Sequence, residues 1–400
     1  MHVSRFLHTL LSPVTHIKRL NTLTLLTLAA LKDKKLSVTL LGRALETSAT
    51  EKGNIKRSDR FLSNVKLHKE REAIYGVFCH RLIGQKNHPW IIVDWSPTPN
   101  SKNCILRAAL VMQGRALSIY EEVHPKAKEN NPEVHQQFLY TLERILPQNC
   151  KPILVTDAGF CTPWFLQVLG MGWDYVGRVR GNKLLCLNGI FLKYKDLFNV
   201  ATSKPTALGE GILSKNNQLK PHFYLVKLPK KFRVRLNKLG KKGNHKKDKE
   251  YAKSWNEPWL LVSSLKSSYS VAKRVVKIYS CRMQIEEGFR DLKSSHYGFS
   301  FEKSYSENRE RIQILLMIAM VASAIAYLIG WIAESKNWHY KFQANTIKTR
   351  RVLSLFYLGC RVIEKKLEIP IETLWEAFNQ LKEFMNGNKR LKREGNLLKI

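Results

Sequence analysis

The chain has 400 residues, 44% of them hydrophobic and 10% aromatic, enough to bury a large core and to exclude global disorder. Sixty-seven Lys and Arg against 32 Asp and Glu leave a formal charge of +35. That surplus repels itself until a polyanion neutralises it, so the partner is nucleic acid or an anionic membrane surface.

The opening "MHVSRFLHTLLSPVTHIKRL" carries basic residues throughout and lacks the apolar core and small-residue cleavage site of a signal peptide. Residues 1–84 read as helical: "NTLTLLTLAALK" and "LSVTLLGRALE" are apolar-periodic segments separated by a Lys-rich break. "NIKRSDRFLSN" follows, with Asn54 predicted as an N-cap. Lys56, Arg57 and Arg60 lie at i, i+1 and i+4 and form one basic edge, which fits a helix-turn-helix-like unit on DNA. A solvated basic face is the competing reading.

Strand chemistry begins at "PWIIVDWS" (89–96), which is expected to end near Asp94. "NCILRAALVMQ" and "RALSIYEEVH" follow around Gly114, so the three runs read as an antiparallel meander. "NNPEVHQQFLYTLERIL" is a helix with Pro near its start, and "KPILVTD" a short strand buried on both faces. "PWFLQVLG" is a helix stopped by Gly, and "WDYVGRVR" the next strand. The order βββ-α-β-α-β is that of a ribonuclease-H-like α/β domain with a mixed sheet.

An interruption spans 184–265. It holds the strand candidates "HFYLVKL" and "EPWLLVSSL" around a tract with eleven Lys and Arg between Lys230 and Lys253. That tract reads as a mobile loop that touches phosphates or is merely solvated. "YSCRMQIEEGFRDLKS" (279–294) then reads as one helix. Ile314–Ile332, "ILLMIAMVASAIAYLIGWI", is uncharged and long enough to span a bilayer. Its Ala content, its isolation and the dense charge on both sides favour a buried central helix, which must be apolar all round.

Seven cysteines at 79, 104, 150, 161, 186, 281 and 360 form no C-x-x-C pair, and the twelve histidines form no H-E-x-x-H. This argues against zinc ribbons and disulfide frameworks and fits a reducing cytoplasm. No P-loop is present. Three carboxylates remain. Asp94 and Asp157 lie at the ends of strands that neighbour each other in a ribonuclease-H-like sheet, and Glu286 lies on the 279–294 helix. Hard carboxylates brought together there bind Mg²⁺, which takes oxygen ligands. Two such ions activate an attacking oxygen and stabilise a leaving one. At about 100° per residue, Tyr279, Arg282, Glu286 and Lys293 fall on one helical stripe. Ile278, Ile285, Phe289 and Leu292 form the apolar face beside it. Arg282, Lys293 and the Tyr279 hydroxyl are then placed for DNA phosphates.

The same residues carry a resemblance. Y-x2-R-x3-E-x6-K, here Tyr279, Arg282, Glu286 and Lys293, is the signature of one group of bacterial insertion-sequence transposases of the DDE type. "NIKRSDRFLSNVKLHKER", "IIVDWS", "VTDAGF", "RMQIEEGFRDLKS" and "FQANT" resemble the transposase of the tetracycline-resistance composite transposon and its near relatives, over Asn54 to Thr346. The resemblance implies that Asp94, Asp157 and Glu286 are the catalytic residues and bind two Mg²⁺ ions, for which Mn²⁺ substitutes. It implies double-stranded DNA partners, both terminal inverted repeats and target. It further implies cut-and-paste excision through a hairpin, and two copies of the chain in a synaptic complex. Trp259, with Trp255 as competitor, is expected to stack on a base turned out of the duplex. Arg178, Arg180, Lys56, Arg57 and Arg60 complete the expected DNA contacts.

The expected domains are a helical DNA-binding domain (1–84), a catalytic domain in two parts (85–183 and 266–335), an inserted β-rich subdomain (184–265) and a basic helical C-terminal region (336–400). The expected location is the bacterial cytoplasm, at the nucleoid, with no membrane partner. The competing readings are a decayed transposase that only binds DNA or represses, a membrane-bound basic protein, and a related nuclease without strand transfer.

Overall fold

Helix and strand periodicities become real elements along most of the chain. The computed structural model describes residues 2–181, 183–214, 219–229, 256–266, 268–344, 346–385, 392–393 and 396–397. The basic 230–253 tract and Trp255 lie outside the described residues. In chain order the helices are α1 (Val3–Leu11), α2 (Ile17–Asp33), α3 (Val38–Arg43), α4 (Glu51–Leu62), α5 (Val65–Ile83) and α6 (Pro132–Ile145). Then come α7 (Thr162–Gly170), α8 (Tyr269–Ser280), α9 (Met283–Lys293), α10 (Arg309–Ser335), α11 (His339–Phe342), α12 (Leu355–Glu364) and α13 (Ile371–Met385). The main strands are β1 (Trp90–Pro97), β2 (Asn103–Val111), β3 (Ala116–Pro125), β4 (Ile153–Thr156), β5 (Asp174–Val179), β6 (Leu184–Leu187), β7 (Ile190–Lys193), β8 (Thr206–Leu213), β9 (His222–Val226) and β10 (Trp259–Ser263). They belong to two compact units, Met1–Cys150 with Met283–Ile400, and Lys151–Arg282.

In the first unit β1, β2 and β3 form the expected antiparallel meander, turning at Gly114, whose φ of 76° suits a residue without a Cβ. The register sets Asp94 opposite Arg107 and Arg107 opposite Glu121, so the three side chains form one row on one face. Asp94 is not at the strand end, as expected from the sequence, but mid-strand, because ladder pairing continues to Pro97 opposite Cys104. Helix α10 is buried along nearly its whole length, packed by β3, α2, α12 and α13. It is long and apolar enough to cross a membrane, and its apolar surface is covered by its own unit. Two glycines set the crossing of α10 and α12: a Cβ on Gly330 would lie 1.9 Å from the Leu355 carbonyl oxygen, and one on Gly359 1.8 Å from that of Ala326.

The N-terminal helices stack in this same unit, α2 on α10 and α1 on α13. The cap of α4 is Thr50, whose hydroxyl accepts from the Gly53 N–H at 3.2 Å. Asn54, expected to cap, is instead inside the helix and buried, where its amide donates to the Leu45 carbonyl and its carbonyl accepts from Thr47. A Thr at 50 outcompetes it because "TSATEK" already supplies an extended residue before the first helical turn. Helices α3 and α4 approach closely at Gly42, where a Cβ would lie 2.5 Å from Ile55 Cα. Lys56 and Arg60 are exposed and Arg57 is half-buried.

In the second unit β4 and β5 pair in parallel, and β10 joins β5 antiparallel. The order then runs β10-β9-β8-β6-β7. The strands expected to form a separate inserted subdomain therefore extend the sheet begun by β4 and β5. Main-chain pairing of β10 to β5, Leu260 opposite Val179, is what makes them continuous.

Candidate active site

The stretch 279–294 is not one helix. Helix α8 ends at Ser280 and α9 begins at Met283. Tightened bonds close the first: the Cys281 N–H donates to the Ile278 carbonyl and the Arg282 N–H to that of Tyr279. The break also falls where the two compact units meet in sequence, so Tyr279 and Arg282 belong to the second unit and Glu286 and Lys293 to the first. The single helix expected over 279–294 is thereby corrected to two, and the residues expected on its apolar face, Ile278, Ile285, Phe289 and Leu292, are all buried.

In the first unit, Asp94, Trp95 and Ser96 of β1 and Glu286, Phe289, Arg290 and Lys293 of α9 line an open cleft of about 580 Å³, joined by Ser294, Ser295 and Glu302. Two of the acids on α9, Glu287 and Asp291, pair with arginines. Arg115 donates from Nε to Asp291 Oδ2 at 2.8 Å and lies 3.5 Å from Glu287, which also pairs with Arg290. Glu286 is exposed on the cleft wall. Lys293 reaches across: its ammonium donates to Ser96 Oγ at 2.7 Å and to the Pro97 carbonyl at 2.6 Å. Burial, and then the nearby Arg107, lower its pKa to about 8, against a raising pull from Glu302. Helix α9 is held at further points, with Gln284 accepting from the Met112 N–H at 3.2 Å and Arg107 lying 4.0 Å from the Phe289 ring centroid.

In the second unit, Asp157 follows β4, and its Oδ1 accepts from the Gly159 N–H at 2.8 Å, fixing the turn that presents it. The Tyr279 ring is 3% exposed, edge-on to Trp259 with centroids 4.9 Å apart. Burial pushes the Tyr279 hydroxyl pKa up; Arg282 and Arg178 pull it down, and Asp157 adds to the rise. Arg178 also covers Trp259 at 5.9 Å and presents buried Nε and Nη2 groups with no hydrogen-bond partner among the described residues. Arg180, the other arginine expected at DNA, pairs with Glu257 through Nε at 3.0 Å and Nη2 at 2.9 Å. Trp259 is half-buried at the start of β10.

Asp94 and Glu286 put two hard carboxylates on one open cleft, and Mg²⁺ is a cation that takes oxygen ligands of this kind. The third expected ligand, Asp157, belongs to the other unit. Among the described residues no three His, Cys, Asp or Glu side chains stand together as a metal cluster. Arg107 and Glu121, behind this cleft on β2 and β3, are residues that the sequence did not single out. The available signal was a charged pair, "LRA" and "YEE", placed in register by a predicted meander.

A basic mixed α/β chain with a carboxylate cleft on a strand–helix wall defines the class, a protein that works on a polyanion. A family profile described as a transposase DDE domain matches residues 85–325, more than half of the chain, and the chain belongs to the DDE transposase family. Among solved structures, the cryo-EM structure of a piggyBac transposase synaptic complex with hairpin DNA is similar at 12% identity and a TM-score of 0.40, covering 96% of this chain and 78% of that one. No curated protein matches the chain.

Proposed function

We propose that the chain is a Mg²⁺-dependent cut-and-paste DNA transposase with a ribonuclease-H-like catalytic core, of the Y-R-E-K group and near the transposase of the tetracycline-resistance composite transposon. The observation that carries this reading is the shared cleft of Asp94, Glu286 and Lys293 within the span matched as a transposase DDE domain. Asp94, Asp157 and Glu286 would hold two Mg²⁺ ions, for which Mn²⁺ substitutes. Bound there, the ions supply Lewis-acid activation of the attacking oxygen and stabilisation of the leaving one.

The chain's own residues do the rest. Lys293 sits at the cleft wall with its charge beside Ser96, ready for a phosphate oxygen of the cut strand. Arg178 and Arg282 supply the matching cations in the second unit, and the buried Tyr279 ring supports Trp259 edge-on. Trp259 offers its indole to an extruded base, which returns about 1–3 kcal/mol of stacking. Lys56, Arg57 and Arg60 on α4 contact the terminal inverted repeat. Hydrolysis frees a 3′-OH, which attacks the opposite strand to close a hairpin. Water reopens the hairpin, and the regenerated 3′-OH joins target DNA. Two copies of the chain form the synaptic complex. The protein acts at the nucleoid.

The test is Asp94→Ala, Asp157→Ala and Glu286→Ala, assayed on a duplex carrying the repeat that flanks the reading frame. Each should lose Mg²⁺-dependent nicking entirely and keep end binding. A variant that nicks normally removes its residue from the triad. A wild-type protein that binds ends and never nicks in Mg²⁺ or Mn²⁺ is the decayed, repressor-like reading instead.

A further inference from the structure

Beneath the cleft, in the row that begins with Asp94, lies a buried ion pair that the proposed chemistry does not use. Arg107, 4% exposed, stands mid-way along β2. On one side in the sheet register is Asp94, on the other Glu121, 1% exposed. Arg107 donates to Glu121 Oε1 from Nε at 2.7 Å and from Nη2 at 2.6 Å. Glu121 is anchored in turn, since Arg71 donates to its main-chain carbonyl at 2.7 Å. The guanidinium carbon of Arg107 lies 4.0 Å from the Phe289 ring centroid, and the Lys293 ammonium is 5.6 Å from the same ring. Phe289 is one helical turn after Glu286. The helix also runs close to the strands here: a Cβ on Gly288 would meet the Ala116 carbonyl oxygen at 3.3 Å and Arg107 Nη1 at 3.6 Å.

A buried ion pair is a poor choice for stability alone. Desolvation of both charges offsets most of their attraction, and apolar replacements of similar volume are often as stable or more so. What the pair does offer is direction. A planar guanidinium fixed by two bonds to Glu121 gives Phe289 one flat surface at one height above β2. The ring thereby rests against Arg107, with Lys293 also near it, and the helix that carries Glu286 and Lys293 is set with it.

We propose that Arg107, fixed by Glu121, is a positioning residue that seats Phe289 and so holds Glu286 at the distance from Asp94 that a shared divalent cation requires. The inference rests on the carboxylate assignment made above. Outer partners of metal-binding carboxylates change affinity by about 10–100-fold when removed.

The experiment uses the full-length chain and Mn²⁺ as the probe. Arg107→Met/Glu121→Leu replaces the pair by apolar groups of similar size. It should melt near or above the wild type and bind repeat-end DNA equally well in EDTA. Its Mn²⁺ affinity, read by the loss of free-ion electron paramagnetic resonance signal, should fall about tenfold or more. Nicking should fall at low Mn²⁺ and recover in part at high Mn²⁺. A double variant with wild-type Mn²⁺ affinity and nicking overturns the proposal and leaves Arg107 as core. Should that variant not fold, Phe289→Leu carries the test, because it removes the ring and leaves the ion pair intact. The same weakened Mn²⁺ binding is expected, and unchanged binding overturns the proposal. Asp94→Ala and Glu286→Ala run alongside. If these bind Mn²⁺ as the wild type does, the carboxylate assignment itself has failed, and the proposal with it; if they lose it while the Arg107 variants do not, only the positioning role has.

Discussion

Lys293 shows how a residue chosen by spacing acquires chemistry from its surroundings. Its stem is half-buried against Phe289 and its ammonium is held by Ser96 and Pro97. Burial and Arg107 bring its pKa down to about 8. A lowered lysine pKa means the charged form is present below about pH 8 and is lost as pH rises through it. Binding of a cut repeat end should therefore weaken between pH 7 and 9 in the wild type. Lys293→Arg should stay flat across that range, because a guanidinium keeps its proton. Lys293→Ala should be weak throughout and lower the salt slope of binding by at most about 0.9. A filter-binding series at the two pH values checks all three, and a wild type that binds equally at both would return Lys293 to a purely structural tie between α9 and β1.

At the scale of elements, the break between α8 and α9 is the clearest departure from the helical reading. "YSCRMQIEEGFRDLKS" contains no Pro or early Gly to announce a stop, and its apolar period runs through the break without a shift. The tertiary structure ends α8 because its face and that of α9 are buried in different units. Helix α10 was the opposite case. Its uncharged run was legible as a helix, and its choice between membrane and core was settled by which surfaces cover it. The crossing with α12 depends on two small residues. Gly330→Val or Gly359→Val would drive a side chain into a facing carbonyl closer than 2 Å. Overpacking that neither helix can relieve by a rotamer change should cost about 3 kcal/mol or more. Thermal melting of the purified protein reads this directly; a melting temperature within a degree or two of the wild type would show that the helices can slide apart.

For the whole molecule, the charge of +35 dominates behaviour in solution. Association with repeat-end DNA should fall steeply with salt, the logarithm of the binding constant dropping by about 0.9 per phosphate neutralised. Substituting Lys56, Arg57 and Arg60 together by Ala should lower the slope by about 2–3 and leave metal-dependent nicking of a covalently tethered end intact. A slope unchanged by the triple substitution would place repeat recognition elsewhere in the helical part of the chain.

The sequence by itself determined the order of the strands, the meander and the polyanionic class of the partner, because alternation, strand chemistry and net charge are local or additive properties. Asp157 at a strand exit and the burial of Ile285 and Phe289 follow from patterns a few residues wide. Only the tertiary structure decided that Asp94 lies mid-strand and that the strands after 184 extend the sheet begun by β4 and β5. It also decided that Arg180 is held by Glu257 and that Tyr279 is buried edge-on to Trp259. Each of these turns on a partner distant in sequence: a ladder to β2, a pairing of β10 with β5, a carboxylate 77 residues away. No local period encodes which distant group arrives first. The burial of Arg107 against Glu121 and Phe289 is the sharpest instance, since a charge in a strand is read as exposed until the sheet and the helix above it close over it.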